Sequence, residues 1–98
     1  MKTAEIEIER RDRVTHGEYI AHVPDSQGTG KLTWTMRDNV RHAEHTLVPE
    51  ELRGKGIAGQ LVEMLVGDAK REGFKIAPDC SYVAAAFKRN PDWSELLA

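Results

Sequence analysis

The apolar residues change their period near Pro49, and this switch constrains the fold more than any other feature of the chain. Before it, apolar and polar side chains alternate: Ala4, Ile6 and Ile8 against Glu5, Glu7 and Glu9, then Leu32, Trp34 and Met36 against Thr33, Thr35 and Arg37. Such alternation marks half-buried strands. Residues 17–23 read as a further strand, closed by the turn-rich stretch 24–30, and Asp38-Asn39 makes a tight turn into a strand over 40–48. No segment in this half is long enough for a helical crossover, so the four strands are expected to form an antiparallel meander.

After Pro49 the period becomes helical. Ile57, Ala58, Leu61, Val62, Leu65 and Ala69 fall on one face of a helix that Gly73 is placed to stop. Residues 74–77 read as a short strand ended by Pro78, and 82–89 as a second helix stopped before Pro91. A tail with Trp93, Leu96 and Leu97 follows; Trp34 and Trp93 read as core anchors. The order is that of an α+β domain spanning 1–98, with one core, because 98 residues are about the size of one small domain.

Composition excludes several function classes. The net charge of −2, with both signs mixed along the chain, provides no basic stripe for a nucleic-acid backbone. The longest apolar run, 83–87, is too short to span a bilayer, and the acidic start 1–7 does not read as a signal peptide. One cysteine forms no internal disulfide, which fits a reducing, cytoplasmic compartment. The histidines at 16, 22, 42 and 45 lack the spacing of a zinc site, so no metal is expected.

The segment Glu51-Leu52-Arg53-Gly54-Lys55-Gly56-Ile57-Ala58-Gly59 opens the long helix and satisfies two phosphate-binding patterns. From Gly54 it spells GxGxxG, the turn of a dinucleotide-binding fold, with Asp79 standing 20 positions beyond Gly59, where an acidic ribose partner would be. From Arg53 it spells Arg-x-x-Gly-x-Ala. Both rest on backbone NH groups at a helix N-terminus, where the dipole and unpaired donors favour an anion. The dinucleotide pattern is disfavoured, because 49–53 intervene between strand and glycines and too few residues follow Asp79 for a doubly wound sheet. A magnesium-binding phosphate loop fails at Ile57, which stands where Ser or Thr is needed. A tight turn without ligand remains open, although it leaves Arg53 and Lys55 unexplained.

Four motifs in order decide for the second pattern: His45-Thr46-Leu47-Val48-Pro49, Leu52 to Ala58, Cys80-Ser81-Tyr82-Val83, and Arg89-Asn90-Pro91-x-Trp93. Over about 17–97 the chain resembles the minimal, single-domain branch of the GNAT superfamily of acetyl-CoA-dependent N-acetyltransferases. The resemblance implies a mostly antiparallel sheet of about five strands with two main helices, and a coenzyme A cleft between splayed fourth and fifth strands. It implies acetyl-CoA as the bound donor, with backbone at Leu47 and Val48 meeting the pantetheine. Arg53, Gly54, Lys55, Gly56, Ile57, Ala58 and Gly59 would surround the pyrophosphate, and Arg89 and Asn90 would reach the cofactor. The acceptor would be an amine, on a small molecule or a protein lysine, and the protein a monomer or weak dimer. The alternative is a coenzyme A-binding or interaction module that keeps the fold without turnover.

Acetyl transfer needs a neutral amine, a polarised thioester and a stabilised leaving thiolate. His45 is the first candidate base, and alternation groups it with Ala43 and Leu47, opposite His42, Glu44 and Thr46, unless a bulge alters the facing. Cys80, near the start of the last helix, is placed to carry the acetyl group or to line the pocket. In the resembled family Tyr82 would protonate the departing thiolate.

Overall fold

The computed structural model describes residues 6–24 and 26–98, so the expected alternation at Ala4 and Glu5 and the turn position Asp25 lie outside the described residues. The described elements follow the order β1 (Glu7–Asp12), β2 (His16–His22), β3 (Thr29–Arg37), β4 (Val40–Leu47), α1 (Ile57–Glu72), β5 (Lys75–Pro78) and α2 (Ser81–Arg89). Short 3-10 turns occupy Glu50–Leu52 and Pro91–Leu96. The strands form one sheet in sequence order, antiparallel from β1 to β4, with β5 added parallel to β4. This is the expected α+β architecture.

Local chemistry accounts for the joints. Asp38 and Asn39 both take positive φ, 52° and 63°, as a two-residue hairpin turn requires. Asn39 also donates its side-chain amide to Gly73 O at 3.1 Å, and its own carbonyl accepts from Lys75 N at 3.1 Å. The hairpin therefore fixes both the end of α1 and the start of β5. Gly73 stops α1 in the left-handed conformation, returning its NH to Ala69 O at 2.9 Å.

The cross-strand register sorts side chains by face. Tyr19, Ala21, Leu32, Trp34 and Ala43 share the inner face and are buried with Leu61, Val62, Leu65 and Val66 of α1 and Val83, Ala86 and Phe87 of α2 in one apolar cluster. The outer face carries Arg11, Glu18, Thr33 and Thr35. Trp34 fits because its β2 and β4 neighbours are Gly17 and Ala43. A Cβ built on Gly17 would stand 2.4 Å from Trp34 Cζ2 and 2.6 Å from the Arg11 carbonyl oxygen. Gly17→Ala is expected to cost about 3 kcal/mol, the upper end for overpacking. Gly28→Ala, whose Cβ first meets Leu52 at 3.3 Å, is expected to cost less than about 1 kcal/mol. Chemical denaturation of both variants checks the difference, and equal losses would contradict it.

One polar chain crosses this core. Arg41, buried on β4, is stacked 3.6 Å from the Trp34 ring centroid and 4.1 Å from that of Phe74. Its Nη1 donates to Tyr19 Oη at 2.8 Å, and Tyr19 Oη donates to Asp68 Oδ2 at 2.7 Å. Asp68, 2% exposed on α1, also accepts from Arg10 Nη1 at 2.9 Å and pairs with Arg71. Arg10 extends the chain to Asp12 and Glu72. Burial, and then the hydrogen bond to Asp68, push the Tyr19 phenol above its usual range.

β4 departs from strict alternation. Thr33 pairs with His45 whereas Trp34 pairs with Ala43, so Glu44 is an extra residue and the strand is bulged. A bulge sets two residues against one and displaces the alternation downstream. The grouping of His45 with Ala43 is thereby corrected: His45 joins Thr33 on the outer face, and Thr46 joins Leu32 on the inner face.

Candidate active site

β4 and β5 pair only from Val40 to Ala43, against Lys75 to Pro78. The last link between them is Cys80 N donating to Ala43 O at 2.9 Å. Beyond it β4 continues to Leu47 with no strand on that side among the described residues, while the chain after Pro78 turns into α2. The divergence opens a cleft of about 360 Å³. Thr46 and Val48 form one wall, Gly54, Gly56 and Ala58 at the start of α1 form the end, and Tyr82 of α2 stands opposite.

The end wall is built by glycine conformation. Gly54 and Gly56 take φ of +83° and +76°, and Gly56 is the residue from which α1 starts, with no side-chain cap and no acidic residue in the first turn. The earliest α1 bond is Gln60 N to Gly56 O, at 3.1 Å, so the NH groups of Ile57, Ala58 and Gly59 have no partner within the helix. A helix start that offers bare NH groups and no carboxylate favours an anion. Glu50 and Glu51 are in the preceding 3-10 turn, which the buried Leu52 anchors. Arg53 donates Nε to Val48 O at 3.2 Å, tying the glycine turn to the end of β4. Lys55 is exposed.

At the point of divergence, Cys80 Sγ–H donates to Thr46 Oγ1 at 3.5 Å. Partial burial raises the thiol pKa. Hydrogen bonds given to the ionised sulfur by the Thr46 hydroxyl, turned round as donor, and by the backbone at Val83, Tyr82 and Thr46 more than offset this, and the thiol is more acidic than an ordinary cysteine. Cys80 is also the residue from which α2 starts, where the dipole favours a thiolate. A group able to accept or pass an acyl unit therefore stands where the cleft closes.

The structure brings Tyr82, Val48, Arg53, Gly54 and 56–59 together around the cleft, and Cys80 adjoins it through Thr46 without lining it. Tyr82 Oη lies 3.8 Å from a Cβ built on Gly59, across the cleft from α1. His45 and Leu47 are exposed, and His45 faces away from Thr46, so cysteine and histidine lie on opposite sides of the opening. Asn90 caps α2, donating Nδ2 to Ala86 O at 2.8 Å, and neither it nor the exposed Arg89 lines the cleft. His42 Nδ1 is 3.0 Å from Asp79 Oδ2, so the acid considered for a dinucleotide ribose is engaged elsewhere. Thr46 and Leu52 line the cleft without having been singled out from sequence. Simple alternation puts Thr46 on the wrong face, and Leu52 reads as part of a loop. Among the described residues no group of three or more His, Cys, Asp or Glu is arranged to hold a metal ion, and no helix is long and apolar enough to cross a membrane.

A single five-stranded sheet whose one parallel pair splays over a glycine-capped helix defines an acetyltransferase-like class. The family model for GCN5-related N-acetyl-transferase matches residues 18–96. The chain belongs to that family. Its fold is similar to the solution NMR structure of a GCN5-like protein from Staphylococcus aureus, with a TM-score of 0.69 and 20% identity, covering 92% of this chain and 87% of that one.

Proposed function

We propose that the protein is an acetyl-CoA-dependent N-acetyltransferase that acts through Cys80 on an amine acceptor. The observation that carries this reading is the splayed cleft, which joins an open strand edge, a bare helix start and an acidified thiol. The NH groups of 54–59 would receive the pyrophosphate, with Arg53 and Lys55 adding positive charge. The unpaired edge of β4 at Leu47 and Val48 would hydrogen-bond the pantetheine amides as a neighbouring strand does.

Chemistry follows from the two faces of the opening. The Cys80 thiolate, held by the Thr46 hydroxyl turned round as donor, attacks the acetyl carbonyl carbon; the carbon–sulfur bond to coenzyme A breaks, and the leaving thiolate takes a proton from Tyr82 Oη. The neutral acceptor nitrogen then attacks the acetyl-cysteine from the outer face. Its proton passes to the His45 imidazole, and the Cys80 thiolate is released.

Calorimetric titration with acetyl-CoA and NAD in parallel tests the assignment: acetyl-CoA is expected to bind and NAD is not. Gly56→Trp places an indole in the cleft and should weaken acetyl-CoA by at least about 100-fold, as loss of a preorganised pyrophosphate site requires. Gly73→Ala is the control. Gly73 has φ +80°, and a Cβ on either Gly56 or Gly73 meets nothing within 4 Å, so this variant carries a left-handed strain of about 1–2 kcal/mol far from the cleft. It should lose stability and keep its affinity. Unchanged affinity in Gly56→Trp would overturn the placement.

A further inference from the structure

A second concavity, of about 340 Å³, lies on the outer face and includes Glu18, Thr33 and Glu44. It shares no lining residue with the candidate active site, but the two come near each other on β4, where Glu44 lines one and Thr46 the other. Glu44 and His45 both stand opposite Thr33 there, while Cys80 N is bonded to Ala43 O at the same level of the strand. Two hollows thus approach the divergence of β4 and β5, the glycine-capped cleft with Thr46 and the outer-face hollow with Glu44.

The outer hollow carries both signs of charge, with Glu18 set opposite Arg11 and, among the described residues, free cations beyond it toward the β1–β2 turn. Glu44 is at the end nearest the opening, accepting from Thr35 Oγ1 at 3.1 Å. Arg11, Arg13 and His16 line the other end, beside the β1–β2 turn. Arg11 is paired with Glu9 at 2.6 Å, whereas Arg13 and His16 form no side-chain hydrogen bond or ion pair with another described residue. His16 on β2 is two strand spacings from Glu44 on β4, about 10 Å, and Arg11 on β1 is three, about 14 Å, spans that long side chains shorten from both ends. A hollow of this size suits a small molecule held by a few convergent polar groups.

We infer that this outer hollow is the acceptor site, and that it selects a small primary amine whose other end is anionic. The inference rests on the acetyltransferase reading above. Glu44 holds the ammonium beside His45, and Arg13 with His16 receives the carboxylate. The nitrogen is then presented to the acetyl group through the gap between the strands.

The test uses the isotope-labelled full chain, observed by amide NMR without acetyl-CoA, so that it reads independently of turnover. γ-Aminobutyrate is titrated against n-butylamine, its counterpart without the carboxylate, and against a lysine peptide blocked at both ends. γ-Aminobutyrate is expected to shift the amides of Glu18, Thr33 and Glu44 and leave Gly54 to Gly59 unmoved, with a Kd at least about tenfold below that of n-butylamine, the scale of one charge-assisted contact. Arg13→Gln should erase that preference, and Glu44→Gln should weaken both amines. Equal binding of the two amines, shifts centred elsewhere, or a response to the lysine peptide alone would overturn the inference. Failure of the acetyl-CoA titration would remove the transferase reading and leave this amine result legible by itself.

Discussion

Cys80→Ser is expected to slow acetyl transfer by roughly a thousandfold, within the range for removing an activated nucleophile, while acetyl-CoA affinity stays within about twofold. The substitution isolates chemistry from folding. Cys80 starts α2 without a side-chain cap bond, and serine is a preferred residue at that position, so stability should hold or rise. A serine hydroxyl is far harder to ionise than the cysteine thiol, which Thr46 and its backbone donors make more acidic than usual. Intact mass measurement of the parent with acetyl-CoA should find one added acetyl group, absent from the variant. An unchanged rate in Cys80→Ser would mean that the amine attacks the thioester directly. Thr46→Val should show a smaller loss in the same direction, because it removes only the hydroxyl that favours the thiolate.

Asp68→Ala is expected to destabilise the domain by about 3–5 kcal/mol, the usual cost of removing one member of a buried charged network. Asp68 is the carboxylate on which Tyr19, Arg10 and Arg71 converge, and through Tyr19 it faces the buried Arg41. Without it, the Tyr19 hydroxyl loses its acceptor and buried cationic charge is left uncompensated. Such a loss is a large part of the roughly 5–15 kcal/mol that holds a domain of this size together. Asp68→Asn should fall between, since it keeps an acceptor for Tyr19 and removes the charge. Urea denaturation with an unchanged slope measures both, and a loss below about 1 kcal/mol for the alanine variant would show the network to be solvated.

Residues that obey a simple period were legible in the sequence. Leu32, Trp34 and Met36 gave β3, the Ile57-to-Ala69 stripe gave α1, Asp38-Asn39 gave the hairpin, and Gly73 gave the stop. Glycine spacing and motif order likewise located the helix start that ends the cleft. The rest depends on contacts between distant segments. Asp68 and Arg41 are charged residues at buried positions, and their link through Tyr19, together with the stacking of Arg41 on Trp34 and Phe74, offsets that burial, which no local pattern reveals. Glu44 is one polar residue among several in β4, and nothing adjacent marks it as the extra one. For that reason Thr46 was assigned to the wrong face and missed as the partner of Cys80. At Asn90 the motif position carries a structural role that the sequence pattern does not announce, a side-chain cap on α2.

The bulge at Glu44 works as a phase shift within one strand. Upstream of it the inward beat falls on Arg41 and Ala43, which serve the core; downstream it falls on Thr46, which serves the thiol. Drawing Glu44 into the ladder would close the bulge, put Thr46 opposite Lys31 and turn it outward, taking the hydroxyl away from Cys80 without altering either residue; deleting Glu44 would leave the existing pairs and Thr46 still inward. The acidity of the cysteine is therefore tied partly to one residue being left out of the ladder. In this strand, register is a chemical variable.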